Sequence, residues 1–233
     1  MKTKYGMAID LRKCVGCEAC SIACKIENRV NEGKWRTRVW EWDYGAYPQV
    51  SKIKLPTLCN HCQEAPCLEV CPVKANFHSE EGVVLINRDK CIGCGYCIAA
   101  CPYGARFKDA VTGQADKCTM CYHRVEAGLM PVCVSTCISH ARIFGDLDDP
   151  QGYLARYIRE HQAWQVKGTS TYYVLAQGMD PSLIPKELQH DKVISLWKNL
   201  VHPAGKVMMG VAAGAVLLGT AINAVKGGKH DAE

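Results

Sequence analysis

Phenylalanine is scarce in this chain, with three in 233 residues and aromatics at only 8%. The hydrophobic share of 48% includes sixteen cysteines, so fewer side chains remain to fill a core than that figure suggests. The length suffices for one large domain or two small ones, but the core is expected to be modest and to need another kind of staple. Residues 1–10 hold no apolar run of signal-peptide length, since Met7-Ala8-Ile9 is far too short, and neither a cleavage site nor a twin-arginine pair is present there. Helix-turn-helix signals and aromatic-rich single-strand motifs are missing too, so the formal net charge of +5 does not point to nucleic acid. Cysteine is absent outside four short groups, and no single thiol stands apart as a nucleophile.

Those groups are what the chain has in abundance. Cys14, Cys17, Cys20 and Cys24 form C-x2-C-x2-C-x3-C, and Cys91, Cys94, Cys97 and Cys101 repeat that spacing with Pro102 behind them. Cys59, Cys62, Cys67 and Cys71 form C-x2-C-x4-C-x3-C before Pro72, and Cys118, Cys121, Cys133 and Cys137 form C-x2-C-x11-C-x3-C. The run C-x2-C-x2-C-x3-C-P is the bacterial ferredoxin spacing, which holds [4Fe–4S] clusters on thiolates. A soft, electron-rich cube selects thiolate over oxygen or imidazole. Two intervening residues let the backbone turn about one centre, so three cysteines grip three corners. The fourth lies about a helical turn on and, in two-cluster ferredoxins, ligates the other cluster. Four quartets imply four [4Fe–4S] clusters, paired across quartets, in a conductor of single electrons.

Other uses of cysteine fit less well. Structural zinc takes two pairs of ligands in a closed tetrahedron, and three cysteines in step plus a fourth exceed that. A disulfide framework belongs to small secreted domains; this chain is too long to need one. An enzyme acting at a labile iron needs a cluster short of a protein ligand, and sixteen cysteines leave none short. Each cubane carries a formal charge of about −2, which would outweigh the cationic excess and help set potential. Lys13, Lys25, Lys90, Arg106, Lys117 and Arg124 lie beside the quartets, either offsetting that charge or forming solvated surface.

The chain orders itself around the quartets. Met7-Ala8-Ile9 reads as a short strand before the first. Residues 31–58 form an insertion with two strands: one around Val39, Trp40 and Trp42, turned by Tyr44-Gly45, and one through Val50, Ile53 and Leu55, stopped by Pro56. Its Trp35, Trp40 and Trp42 suit a core or a partner contact. Residues 82–89 make a strand ahead of the third quartet, and Ala141–Phe144 one after the fourth. Tight and wide spacings alternate, which suggests two ferredoxin-like units. Asp149 and Pro150 read as the N-cap and first position of a helix, with Tyr153, Leu154, Tyr157 and Ile158 as its buried stripe. Tyr172–Ala176 reads as a strand. Backbone amides at Val15-Gly16 and Ile92-Gly93-Cys94-Gly95 can point at sulfur, Tyr96 and Tyr103 can shield cluster faces, and His61 and His123, beside ligands, are expected at the surface.

The tail changes character. Val193, Ile194, Leu196, Trp197, Leu200 and Val201 recur at helical spacing, and Val207–Val225 is a run of nineteen residues without a charge. Such a run nearly spans a hydrocarbon core of about 30 Å. Lys206 and Lys226 bracket it, and Gly210, Gly214 and Gly219 give it a small-residue face. Its lysines do not choose an orientation. The expected layout is a four-cluster domain over 1–148, a helix/strand extension over 149–190, an amphipathic interfacial helix over 191–205, one transmembrane helix over 206–226 and a polar tail over 227–233. The fold class is α+β: two intertwined, loop-rich, ferredoxin-like bicluster modules plus that transmembrane helix.

Over roughly residues 5–180 the chain resembles the iron–sulfur (beta) subunits of molybdopterin oxidoreductases, which serve dimethyl sulfoxide, polysulfide, thiosulfate, tetrathionate and arsenate reductases and formate dehydrogenase. LRKCVGCEACSIACK, LCNHCQEAPCLEVCP, KCIGCGYCIAACPYGA, KCTMCYHRVEAGLMPVCVSTC and RIFGDLDDP carry the resemblance. It implies cluster one on Cys14, Cys17, Cys20 and Cys137, and cluster two on Cys24, Cys118, Cys121 and Cys133. Cluster three falls on Cys59, Cys62, Cys67 and Cys101, and cluster four on Cys71, Cys91, Cys94 and Cys97. Some relatives replace the residue equivalent to Cys94 and hold a three-iron cluster; cysteine here implies a fourth cube. The resemblance further implies a non-catalytic electron-transfer subunit. Cluster one would face a molybdopterin catalytic subunit and cluster four a quinone-reactive membrane subunit, with the soluble part on the periplasmic side of the cytoplasmic membrane. A hydrogenase, or another quinone-linked respiratory complex served by the same module, is the alternative.

Overall fold

The computed structural model describes residues 4–181. The largest sheet has four strands in the order β8-β1-β10-β9. Strand β1 (Tyr5–Asp10) lies at its centre, parallel to β10 (Thr171–Val174) and antiparallel to β8 (Arg142–Asp146); β9 (Trp164–Gln165) closes the edge. Met7, Ala8 and Ile9 are fully buried, so β1 is apolar on both faces, as a central strand must be. One face packs on helix α6 (Tyr153–Glu160) through Ala8, Ile143, Leu154, Tyr157 and Val174. This apolar cluster is small, in keeping with the scarcity of phenylalanine. Cysteines make up much of the remaining buried apolar surface.

Each quartet is built on one short helix. Helix α1 (Ala19–Glu27) carries Cys20 and Cys24. Helices α2 (Pro66–Glu69), α3 (Tyr96–Ala99) and α5 (Val132–Ser135) carry Cys67, Cys97 and Cys133, and each quartet's last cysteine follows within two residues of the helix end. Helix α4 (Tyr122–Glu126) starts directly after Cys121. Helix α1 packs on α5 and α2 on α3, so the first quartet meets the fourth and the second meets the third. Behind each inner quartet stands a two-stranded hairpin: β4 (Asn76–His78) with β5 (Val84–Ile86), and β6 (Arg106–Lys108) with β7 (Ala115–Lys117). The described part is a ferredoxin-like arrangement of small sheets and short helices.

Four local expectations need correction. The insertion forms one long hairpin, β2 (Thr37–Ala46) with β3 (Gln49–Leu58), and turns at Tyr47-Pro48 rather than at Tyr44-Gly45. Pro56 does not stop β3; it pairs opposite Val39, as proline can where its missing N–H faces away from the ladder. Asp149 does not cap α6. Its carboxylate accepts the Gln151 N–H at 3.0 Å and closes a turn, and Gly152 holds the N-cap position. In the expected stripe Leu154 and Tyr157 are buried, whereas Tyr153 is exposed. Among the described residues no helix is long and apolar enough to cross a membrane. The expected interfacial helix 191–205, the span 206–226 and the tail 227–233 lie outside the described residues.

Candidate metal centres

A single backbone device recurs in all four quartets. The residue before the second cysteine is left-handed each time: Gly16 (φ 74°), His61 (φ 48°), Gly93 (φ 68°) and Met120 (φ 52°). A left-handed residue within such a turn aims successive N–H groups at one concavity, making a nest for negative charge. At His61 and Met120 that conformation costs about 1–2 kcal/mol each, so the turn is held against local preference. Gly93 has no alternative, because a Cβ there would strike the Gly113 carbonyl.

The tertiary fold then brings cysteines of different quartets together. Cys14, Cys17 and Cys20 share a cavity with Cys137. Cys24 joins Cys118, Cys121 and Cys133. Cys71 joins Cys91, Cys94 and Cys97. Cys62 lies in the electrostatic field of Cys59, Cys67 and Cys101. All sixteen thiols are free. Among the described residues no three His, Cys, Asp or Glu side chains converge closely enough to hold a single ion; in three of the four sets the sulfurs stand around a cavity instead. Cysteine donors set about a lined cavity, with nests of N–H groups beside them, fit a multi-iron cube better than one zinc ion.

Further donors reach the sulfurs. The amides of Ala75 and Ala141 donate to Cys71 Sγ and Cys137 Sγ at 3.2 and 3.3 Å, the same four-residue step in two quartets. Burial works to raise both thiols, yet these and neighbouring N–H groups outweigh it and hold both below the ordinary value. Met120 N–H reaches Cys118 Sγ at 3.4 Å and Asn28 Nδ2 reaches Cys24 Sγ at 3.6 Å. Burial pushes Cys24 up to about 12 and Cys67 up to about 11. Such thiols ionise only when positive charge offsets the lost hydration, so loading with iron must release protons.

The four groups form a series. Cys20 lies in the field of Cys133, which links the first to the second. Cys59 lies in the field of Cys118, which links the second to the third. Arg106 feels Cys59, Cys67 and Cys101 of the third together with Cys97 of the fourth. Exposure follows the same order. Cys17 of the first group and Cys94 of the fourth are exposed, while every cysteine of the second is buried and only Cys101 of the third is partly open. Exposed apolar side chains flank both ends: Val15, Ile22, Ile26 and Ile138 near the first, Val73, Ile92 and Tyr96 near the fourth.

The residues around the sulfurs divide differently from expectation. His61 is fully buried rather than at the surface. Its Nδ1 accepts the Val84 N–H at 3.1 Å, so its proton sits on Nε2, which has no hydrogen-bond partner among the described residues. His123 is half exposed and pairs with Glu27 at 2.9 Å. Tyr103 is buried, while Tyr96 faces solvent. Of the cations flagged by position, Arg106 and Lys117 are buried; Arg124 pairs with Glu27, and Lys25 bonds the Asn31 and Lys34 carbonyls. Sequence reasoning missed Arg142, which is buried and lines the cavities of both the first and second groups. It stands five residues after Cys137, the same step as Arg106 from Cys101, and that equivalence was the signal that could have found it. Asp116 was missed as well; it is buried and bonds Arg36 and Arg88.

Fold and cysteine groups together define an iron–sulfur protein of the ferredoxin type. A family model of the "4Fe-4S dicluster domain" matches residues 50–147. The B subunit of tetrathionate reductase from Salmonella typhimurium is 47% identical over 161 residues, 68% of this chain and 64% of that protein, so the chain spans a little under two thirds of that relative. The iron–sulfur subunit ArrB of arsenate respiratory reductase from a Shewanella species is 36% identical, covering 76% of this chain and 98% of its own length. The B component of polysulfide reductase from Wolinella succinogenes is 42% identical over 68% of this chain and 84% of its own. The protein belongs to the iron–sulfur (B) subunits of the molybdopterin oxidoreductases, the electron-transfer rather than the catalytic members of those complexes.

Proposed function

We propose that this chain relays single electrons through four [4Fe–4S] clusters between a molybdopterin catalytic subunit and a quinone-linked membrane subunit. The ligand sets are Cys14, Cys17, Cys20 and Cys137 for cluster one, Cys24, Cys118, Cys121 and Cys133 for two, Cys59, Cys62, Cys67 and Cys101 for three, and Cys71, Cys91, Cys94 and Cys97 for four. The observation that carries the reading is the graded exposure of the series. The two middle groups are shut away and each end keeps one exposed cysteine in an apolar surround, which suits entry at one end and exit at the other. A [4Fe–4S] cluster supplies one-electron chemistry with little change of shape. The chain's part is to hold the thiolates, exclude water from the middle and aim N–H donors at sulfur. The span at 206–226 anchors the chain to the cytoplasmic membrane, with the cluster domain on the periplasmic side.

Purification of the complex tests this. Expected are iron and sulfide near sixteen each per chain, four cluster signals in a redox titration and a copurifying molybdopterin subunit. Iron-free protein, or a copurifying nickel subunit, would overturn the proposal.

A further inference from the structure

Three buried cations stand between the cysteine groups, one at each junction. Arg142 lines the cavities of both the first and second groups. Lys117 is fully buried: its ammonium bonds the carbonyl of Cys118 in the second group and that of Val84, whose N–H in turn meets His61 inside the turn between Cys59 and Cys62 of the third; it also lies in the field of Cys59 and Cys67. Arg106 donates to Cys67 Sγ of the third at 2.8 Å and lies in the field of Cys97 of the fourth.

None of the three forms an ion pair with a carboxylate among the described residues. Arg142 donates to Thr37 Oγ1 at 2.8 Å and lies 3.9 Å from Met7 Sδ. Lys117 donates to the carbonyls of Val84 and Cys118, and Arg106 to Asn76 Oδ1 at 2.8 Å. Arg36, whose side chain is 9% exposed, has Asp116 by contrast. Cations held among neutral partners and away from water are costly to a fold unless negative charge stands close by. Among the described residues, the negative groups in whose field they chiefly lie are the cysteines, as thiolates with whatever they bind.

The count at each junction gives the purpose. Adding an electron to a cluster adds negative charge, which burial opposes. The second and third groups are the most buried, and each has a cation on both sides. The first and fourth have one cation each and, at Cys17 and Cys94, access to water. We propose that Arg142, Lys117 and Arg106 are positioning residues that raise the reduction potentials of the clusters they separate, offsetting part of what burial costs the reduced form.

This inference rests on the four-cluster reading, and one experiment separates the two. In the purified complex, each midpoint is followed by electron paramagnetic resonance during a redox titration. If the unaltered protein lacks four clusters, the reading itself fails. With four present, Arg142→Gln is expected to lower the reduction equilibrium constants of clusters one and two by about tenfold, which is about 59 mV for a one-electron couple. Clusters three and four should stay within about threefold, and Arg142→Lys, which keeps the charge, should restore the first two. Arg106→Gln should move clusters three and four and leave one alone. Asn76→Asp keeps Arg106 and nearly the same side-chain volume but sets a carboxylate against the guanidinium, and should lower the same two. Full iron content with unmoved midpoints, or a uniform shift of all four, overturns the inference. Loss of iron in both Arg106→Gln and Asn76→Asp would show that Arg106 serves assembly alone and would overturn it equally.

Discussion

Removing Asp116 should cost this fold more than removing any exposed charge. Asp116 is buried and accepts from Arg36 Nε at 2.9 Å, Arg36 Nη2 at 2.8 Å and Arg88 Nη2 at 2.6 Å. The first two bonds form a fork to a guanidinium that is itself only 9% exposed; Arg36 also donates to Asn28 and lines the second cysteine cavity. Taking the carboxylate away strands that cation, and breaking such a buried pair costs about 4 kcal/mol. Arg88 is 42% exposed, so its share is screened and amounts to about 0.5 kcal/mol. Asp116→Ala, which loses both, should then lower the melting temperature of the iron-loaded protein by about 9–18 °C, and Arg88→Met by about 1–2 °C. Circular dichroism at a fixed scan rate reads both. The double variant Arg36→Met with Asp116→Leu, which removes both charges, should recover most of the loss. Asp116→Ala melting within 3 °C of the parent, or Arg88→Met costing as much as Arg36→Met, would refute the reasoning.

Three other outcomes are expected, two from the described geometry and one from the uncharged run at 207–225. Cys94→Ala removes the exposed ligand of the fourth group and should convert that cluster toward a three-iron form while slowing quinone-linked turnover; an unchanged resonance spectrum would count against the assignment. Asp10 is buried, and although burial works to raise its carboxyl, hydrogen bonds from Arg12 and Tyr157 hold it below the ordinary range. A lowered carboxyl stabilises above its unfolded value and loses that stabilisation as pH falls through the folded one, so Asp10→Asn should cost about 2 kcal/mol at neutral pH and the gap should narrow below about pH 4. A gap that stays constant from pH 7 to pH 3 would show that the charge is irrelevant. Cutting the chain after Val201 should weaken membrane attachment and leave the iron content intact, measured by fractionation and elemental analysis; full retention in membranes would show that another element is the anchor.

Much of the candidate site was legible because cluster binding is a local demand on the backbone. Three cysteines in step can wrap one centre only if the turn between them is tight, and Gly16 and Gly93 mark that turn in the two regular quartets. The strands around Met7 and Arg142 were legible from apolar runs beside turns. The hairpin of residues 37–58 was foreseen as two strands, but its turn was misplaced, because Gly45 signals a turn as strongly as Tyr47-Pro48 does and only the pairing register chooses. His61 was misjudged for a related reason. Polar residues beside ligands are ordinarily solvated, and its burial depends on Val84, twenty-three residues away.

Sequence alone determined the donors: sixteen thiols in four turns of iron–sulfur spacing, and a chain poor in other core material. Tertiary structure decided which thiols meet, which groups are wet, and where Arg142, Lys117 and Arg106 lie between them. The division has a physical cause. Ligand spacing is set by bonds along a few residues. Each cation also lies within five residues of one ligand, but its burial and its approach to a second group come from segments tens to more than a hundred residues distant, joined only when β1, β8 and β10 form one sheet and α1 packs on α5.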